Sequence, residues 1–162
     1  MALNAYLSLK GETIGDIKGS VTQAGREGSI LVVAVDHEIV SPRDTASGLP
    51  TGKRQHSPIT IIKEVDKSSP LLYTCLTNNE TLAEWKLQFW QPSANGQEQQ
   101  HYTIYLTNAS INAIQLEMLN NRYPENMPHR ERERISFTYH KIAWVWNEES
   151  ITSEDYWQTP IT

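Results

Sequence analysis

The chain reads as a mainly β protein: an antiparallel β-barrel or two-sheet sandwich with one short flanking α-helix at about residues 69–78 and one long extended loop at 41–58. Three observations predict this. Apolar side chains recur at period 2 along most of the 162 residues. A single segment, opened by Ser-Ser-Pro, has helical spacing instead. Between two strand-like runs lies a stretch rich in Pro and Gly with no apolar run to anchor it. A chain of this length fits one domain, 1–162, able to bury roughly 70% of the surface its unfolded form exposes, and five Trp and seven Tyr suit a folded body.

Leu3, Ala5, Leu7 and Leu9 put apolar residues on the odd positions of a first strand that ends near Gly11. Residues 30–35 (Ile-Leu-Val-Val-Ala-Val) are apolar throughout, so both faces of that strand need cover. The loop 41–58 follows, punctuated by Pro42, Gly48, Pro50, Gly52 and Pro58. A connection of that length in a compact domain serves as a lid, a binding loop or an assembly arm. Ile59, Ile61 and Val65 then alternate with Thr60 and Glu64.

In the helical segment, Ser69 stands where an N-cap belongs and Pro70 fits the first helical position. Leu72, Cys75 and Leu76 share one stripe, and Thr77-Asn78-Asn79 ends the helix. At two to three turns it is too short to be stable alone and must dock on a sheet. Trp85, Leu87 and Phe89 alternate with Glu84, Lys86 and Gln88. From Tyr102 to Met118 an extended segment has a polar centre at Asn108, Ser110 and Asn112, where it bends or splits. Further on, Arg130, Arg132, Arg134, Ser136, Thr138 and His140 form one polar face. The opposite face turns from Glu131 and Glu133 to Ile135, Phe137 and Tyr139. After Lys141 the apolar parity flips to Ile142, Trp144 and Trp146, the mark of a bulge or a change of sheet.

Composition removes several function classes. A net charge of −5 supplies no basic field for a nucleic acid. No 18 apolar residues run together, so no membrane insertion is expected, and the opening residues do not form a secretory signal. Cys75, the only cysteine, excludes an intrachain disulfide and reads as a small buried side chain. There is no G-x-S-x-G, P-loop, H-E-x-x-H or C-x-x-C. The histidines at 37, 56, 101, 129 and 140 show no metal-ligand spacing, and Asp36 and His37, neighbours on a strand, point to opposite faces. No catalytic residue, cofactor or metal is therefore expected. Arg130, Arg132 and Arg134 read as a solvated or salt-bridged contact edge able to grip an acidic partner strand. The five tryptophans read as core or interface fillers, with a sugar platform as the alternative. Residues 30–35 and 142–146 carry more apolar surface than one interior can hold. The helix, a second sheet or another protomer must cover it, at about 1.5–3 kcal/mol per Val, Ile or Leu.

Several short motifs in order give a family resemblance. They are Asp16-Ile17-Lys18-Gly19-Ser20; Arg26-Glu27-Gly28-Ser29-Ile30; Gly52, Arg54, His56 and Pro58 at alternating positions; Lys63 with Asp66, Ser68, Ser69, Pro70 and Leu71; and Tyr139-His140-Lys141-Ile142-Ala143-Trp144. Together they resemble the Hcp family, the tube protein of bacterial type VI secretion systems, over essentially the whole chain. The resemblance implies hexameric rings stacked into a hollow tube, and partners comprising a VgrG-type spike, a contractile sheath, a baseplate and effector proteins carried in the lumen. It implies a protein that is cytoplasmic before firing and exported without a signal peptide, with no room here for a fused C-terminal toxin domain. By that resemblance Asp36 faces the lumen, and Arg43, Asp44, Thr45, Leu49, Lys53 and Arg54 lie on a loop that meets the next subunit or ring. The rival readings are a phage-type tail tube, a sugar- or small-ligand-binding β-barrel, and a hydrolase built on Asp36, His37 or His56.

Overall fold

Period-2 alternation gives each strand one face to bury, and two sheets pressed together satisfy all of them. The protein, described over residues 3–158 by a computed structural model, follows this rule. Its elements are β1 (Asn4–Gly11), β2 (Gly15–Ile17), β3 (Ile30–Val32), β4 (Ala34–Asp36), β5 (Ile39–Val40), β6 (Gln55–His56), β7 (Ile59–Glu64), α1 (Ser69–Thr77), β8 (Leu82–Pro92), β9 (Glu98–Thr107), β10 (Ser110–Glu117), β11 (Arg132–Thr138), β12 (Lys141–Trp146) and β13 (Ile151–Tyr156). A seven-stranded sheet runs β13-β12-β9-β8-β1, with β2 and β3 sharing the far edge of β1. A four-stranded sheet runs β10-β11-β7-β4, and β5 pairs β6 by itself. All pairings are antiparallel. The result is the sandwich form of the expected architecture rather than a closed barrel.

The chain crosses between the two main sheets four times, once through α1 between β7 and β8 and three times directly, and two of the direct crossings are where the sequence pattern breaks. The polar centre of 102–118 is the step from β9 to β10, where Asn108 takes a left-handed φ of 51°. The parity flip after Tyr139 is the step from β11 in the small sheet to β12 in the large one. The third departs from expectation. Residues 30–35 are not one strand with two apolar faces: β3 pairs β1 in the large sheet and β4 pairs β7 in the small one, with Val33 at the corner. Ile30 and Val32 enter the core, while Leu31 and Val33 stay exposed.

Two other expectations are corrected. The loop 41–58 is not structureless, since β5 just before it pairs with β6 near its end and Arg43 bridges Pro50. The N-cap is Ser68 rather than Ser69, because Asp66 Oδ1 accepts hydrogen bonds from the Ser68 backbone and hydroxyl and so draws the cap one residue back. Leu72 and Cys75 are buried as expected, with Leu76 packed beside them. Gly19 sits so close to the next segment that a Cβ there would lie 2.5 Å from the Ser29 carbonyl oxygen.

The core fills the space between the sheets with Leu7, Leu87, Ile61, Ile135, Phe137 and Trp85, among others. At its edge, under α1, sits a cluster of charge. Lys63 is fully buried on the inward face of β7, in line with Ile59 and Ile61. Its Nζ donates to Glu133 Oε1 (2.9 Å) and Ser69 Oγ (3.0 Å) and lies 3.2 Å from Asp66 Oδ1, which accounts for all three N–H groups. Ser69 Oγ in turn donates to Glu133 (2.6 Å) and accepts from the Asp66 backbone N–H (3.1 Å). The cluster fixes the start of α1 to both β7 and β11.

Candidate functional site

Three surfaces of the sandwich are not used up by its own core: an arm, a polar sheet face and an uncovered apolar face.

The arm is the hairpin between β4 and β7. Beyond the β5–β6 pair, the Thr51 N–H donates to the Pro42 carbonyl (3.0 Å) and the Asp44 N–H to the Leu49 carbonyl (2.8 Å). Its tip is a turn closed by Asp44, whose Oδ2 accepts from the Ser47 N–H (2.9 Å) and hydroxyl (2.7 Å). Those bonds hold the Asp44 carboxyl below its usual range. Gly48 supplies the left-handed φ of 74° that the turn needs. Arg43, Thr45 and Lys53 are exposed, and Leu49, 64% exposed, stands at the tip with no apolar cover.

At the root of the arm the structure gathers residues that lie far apart in the chain. Arg54 Nε donates to Asp155 Oδ2 (2.5 Å), and its Nη2 donates to Asp155 Oδ1 (2.7 Å) and to the Tyr156 carbonyl (2.9 Å). His56 places Nε2 2.8 Å from Asp155 Oδ2 and Nδ1 2.7 Å from the Tyr139 hydroxyl. His37 Nε2 reaches the same hydroxyl from the other side at 2.9 Å. Trp157 stacks on the His56 ring at a centroid distance of 5.5 Å. Burial favours the uncharged state of Asp155, but the bonds from Arg54 and His56 outweigh it and hold the carboxyl below its usual range. Burial, reinforced by the neighbouring Asp155 charge, pushes the Tyr139 phenol up. Sequence reasoning placed Arg54 on the loop that meets the next subunit or ring and, for the histidines, saw only the Asp36-His37 adjacency. The partners that matter to the two histidines are Tyr139 and Asp155, 83 to 102 residues away in the chain.

The outer face of the four-stranded sheet is polar. Asp36, Thr60 and Ser136 lie side by side on β4, β7 and β11, and the Thr60 and Ser136 hydroxyls share a hydrogen bond of 3.0 Å. A second pair, Ser110 and Thr138, is 3.2 Å apart. Arg134 lies across from Ile62 and Gln115. Arg132 donates to Glu117 (3.0 Å), and Arg130, just before β11, lies 3.9 Å from Glu64. Two of the three arginines read as a contact edge thus already have carboxylate partners within the chain.

The inner face of the seven-stranded sheet is wider than the sheet that covers it. Across β1, β8, β9, β12 and β13 one register row reads Ala5, Phe89, Tyr102, Trp146, Ile151. Exposure climbs along it, from 7% at Ala5 to 37% at Trp146 and 58% at Ile151. The tryptophans accordingly divide: Trp85 fills the core, while Trp146 lies on the open part of this face.

No group of three His, Cys, Asp or Glu able to hold a metal ion occurs among the described residues. Cys75 is buried, its thiol pushed up first by that burial.

Comparison with known proteins agrees with this geometry. The family model described as "Type VI secretion system effector, Hcp" matches residues 6–146. A "Major exported protein" of Pseudomonas aeruginosa is 36% identical over 170 aligned positions, spanning 99% of both chains. Among solved structures, Hcp1 from E. coli EAEC 042 superposes with a TM-score of 0.85 at 35% identity, covering 96% of this chain and 99% of that one. The "Secreted protein Hcp3" of Pseudomonas aeruginosa gives 0.80 at 29% identity, covering 98% and 100%.

Proposed function

Since the chain belongs to the Hcp family of type VI secretion proteins, we propose that it works as a tube subunit, six copies closing a ring and rings stacking into the hollow tube that is exported. The observation that carries this reading is the uncovered end of the seven-stranded sheet. The row ending in Trp146 and Ile151, and the corner at Leu31 and Val33, are two separate exposed apolar regions of the sandwich wall. They are different surfaces, so contact between them is heterologous, the kind that closes a ring when the rotation permits.

Stacking falls to the ends of the small sheet. Asp36 lies opposite Thr60 and Ser136, whereas Glu117 lies opposite Arg132, which faces Glu64. The arm therefore leaves one end of these strands and the turn between β10 and β11 leaves the other. That turn exposes Met118, Tyr123 and Met127, as the arm tip exposes Leu49. A head-to-tail stack brings the arm of one copy, with Arg43, Asp44, Thr45 and Lys53 around Leu49, to the turn of the next. Arg130, Arg132 and Arg134 lead from that turn along β11 and form its charged edge.

The polar face of β4, β7 and β11 is assigned to the lumen, with Asp36 repeated around the ring as an acidic girdle for basic cargo. Effectors, a VgrG-type spike, sheath and baseplate are the partners of this reading. The 162 residues act as one mechanical domain without enzymatic chemistry, held in the cytoplasm until firing. Replacing both outer residues of the row (Trp146→Glu with Ile151→Glu) abolishes ring particles in negative-stain images while circular dichroism keeps its β signature. Rings of unchanged size in the double variant would overturn the assignment of this face.

A further inference from the structure

The root of the arm contains more titratable chemistry than an anchor needs. Two imidazoles meet on one phenol, and the phenol has a single proton to share. Asp155, ionised, accepts from Arg54 and from His56 Nε2, so Nε2 of His56 carries a hydrogen. A neutral His56 then offers a bare Nδ1 to the Tyr139 hydroxyl, which donates to it across 2.7 Å. The hydroxyl oxygen is left to accept, and His37 Nε2–H donates to it across 2.9 Å. In this state each bond from His37 through Tyr139 and His56 to Asp155 has one donor and one acceptor. One added proton is accommodated: His56 Nδ1–H turns on the Tyr139 oxygen, and the phenol proton swings to a bare His37 Nε2. A second is not. Both imidazolium rings would then aim an N–H at the same oxygen, the phenol proton would have no acceptor, and two like charges would face each other across a buried ring.

We infer that this cluster is an acid-released latch: it fastens the arm to β13 near neutral pH, and protonation beyond what the shared Tyr139 hydroxyl can satisfy lets the arm swing free. The charged and titratable groups that bear on it come from every neighbouring element. Asp36 on β4 precedes His37; Arg54 leads into β6; Tyr139 comes from the β11–β12 turn; Asp155 comes from β13. The direction of each resolved shift agrees. Burial first, and the neighbouring His56 second, hold His37 below its ordinary value of 6.5, against the opposing pull of Asp36 and the Ser57 backbone. A released arm returns His37 to that ordinary value, so opening takes up a proton and is favoured as pH falls below about 6.5. Asp155, held low only while Arg54 and His56 bond to it, adds a second loss in the same direction at still lower pH. A tube subunit that travels from a near-neutral interior into an acidic compartment would loosen its inter-ring contact there, a consequence that rests on the stacking role proposed above.

Hydrogen–deuterium exchange of the intact protein at pH 7.5 and pH 5.0, corrected for intrinsic rates, tests the latch directly. The latch requires amides in residues 39–58 to exchange at least tenfold faster at pH 5.0, while β7 and β11 keep their protection. In His37→Gln, whose amide donates to Tyr139 but does not titrate, the arm stays protected at both pH values. Equal protection of the wild-type arm at the two pH values overturns the latch, and so does an arm that still opens in His37→Gln. Sedimentation of the same samples separates the two ideas: an arm that opens while stacked rings persist supports the latch and refutes the stacking role.

Discussion

Two polar clusters join a connecting segment to the sandwich, and they are built to opposite specifications. The cluster around Lys63 is buried at Lys63 and Glu133 and reaches solvent only at Asp66, 16% exposed, with all three Lys63 N–H groups taken up by Glu133, Asp66 and Ser69. The cluster around Tyr139 is buried at the phenol but reaches solvent at Asp155 and Arg54, whose side chains are 26% and 23% exposed. The first is built from a lysine and two carboxylates, the second around one phenol shared by two imidazoles. The contrast separates a wall from a moving part. The start of α1 is riveted to β7 and β11, where a tube needs rigidity; the arm is held at its root by bonds that can be undone without opening the core.

Breaking the rivet should have the largest effect. Lys63→Ala strands Glu133 as an unpaired buried charge and should cost about 3–5 kcal/mol in urea unfolding. The paired replacement Lys63→Met with Glu133→Leu removes both charges and should recover most of that loss. Equal destabilisation in the single and paired variants would mean that packing, not charge matching, makes the cluster matter.

Tyr139→Phe sharpens the comparison from the other side. It keeps the buried ring and deletes the hydroxyl on which both histidines converge. The expected cost is about 1–2 kcal/mol for two lost bonds and the groups they leave unmatched. Arm exchange should also become fast at neutral pH, with much of its acid dependence gone. The smallest effect is expected for Arg54→Ala. Global unfolding should not register it, but the amides of β5 and β6 should exchange faster, since Arg54 joins the arm to Asp155 and Tyr156.

How much of this was legible in the sequence follows the same division. Strands, the helix and two of the sheet changes were readable because they are local: alternation shows a face, and a break in alternation shows a turn or crossing. The corner at Val33 was not, since an apolar run looks the same whether it serves one sheet on two faces or two sheets on one face each. The rivet left a visible signal: Lys63 shares the inward parity of Ile59 and Ile61, and Glu133 that of Ile135 and Phe137. Opposite charges at core positions of two strands point to a buried pair. The latch left none, because His37, His56, Tyr139 and Asp155 come from four segments whose proximity only the finished topology creates. Likewise, the arm's apparent lack of structure came from its Pro and Gly content, whereas its order comes from the Asp44–Ser47 turn and the β5–β6 pair.

The tube-wall role presupposes that the exposed row ending in Trp146 and Ile151 is covered by a second copy. Light scattering coupled to size-exclusion chromatography at micromolar concentration measures that directly. A particle of about six times the 18.5 kDa chain is the predicted result, consistent with the ring-forming reading of heterologous contacts. A single species at 18.5 kDa would contradict it.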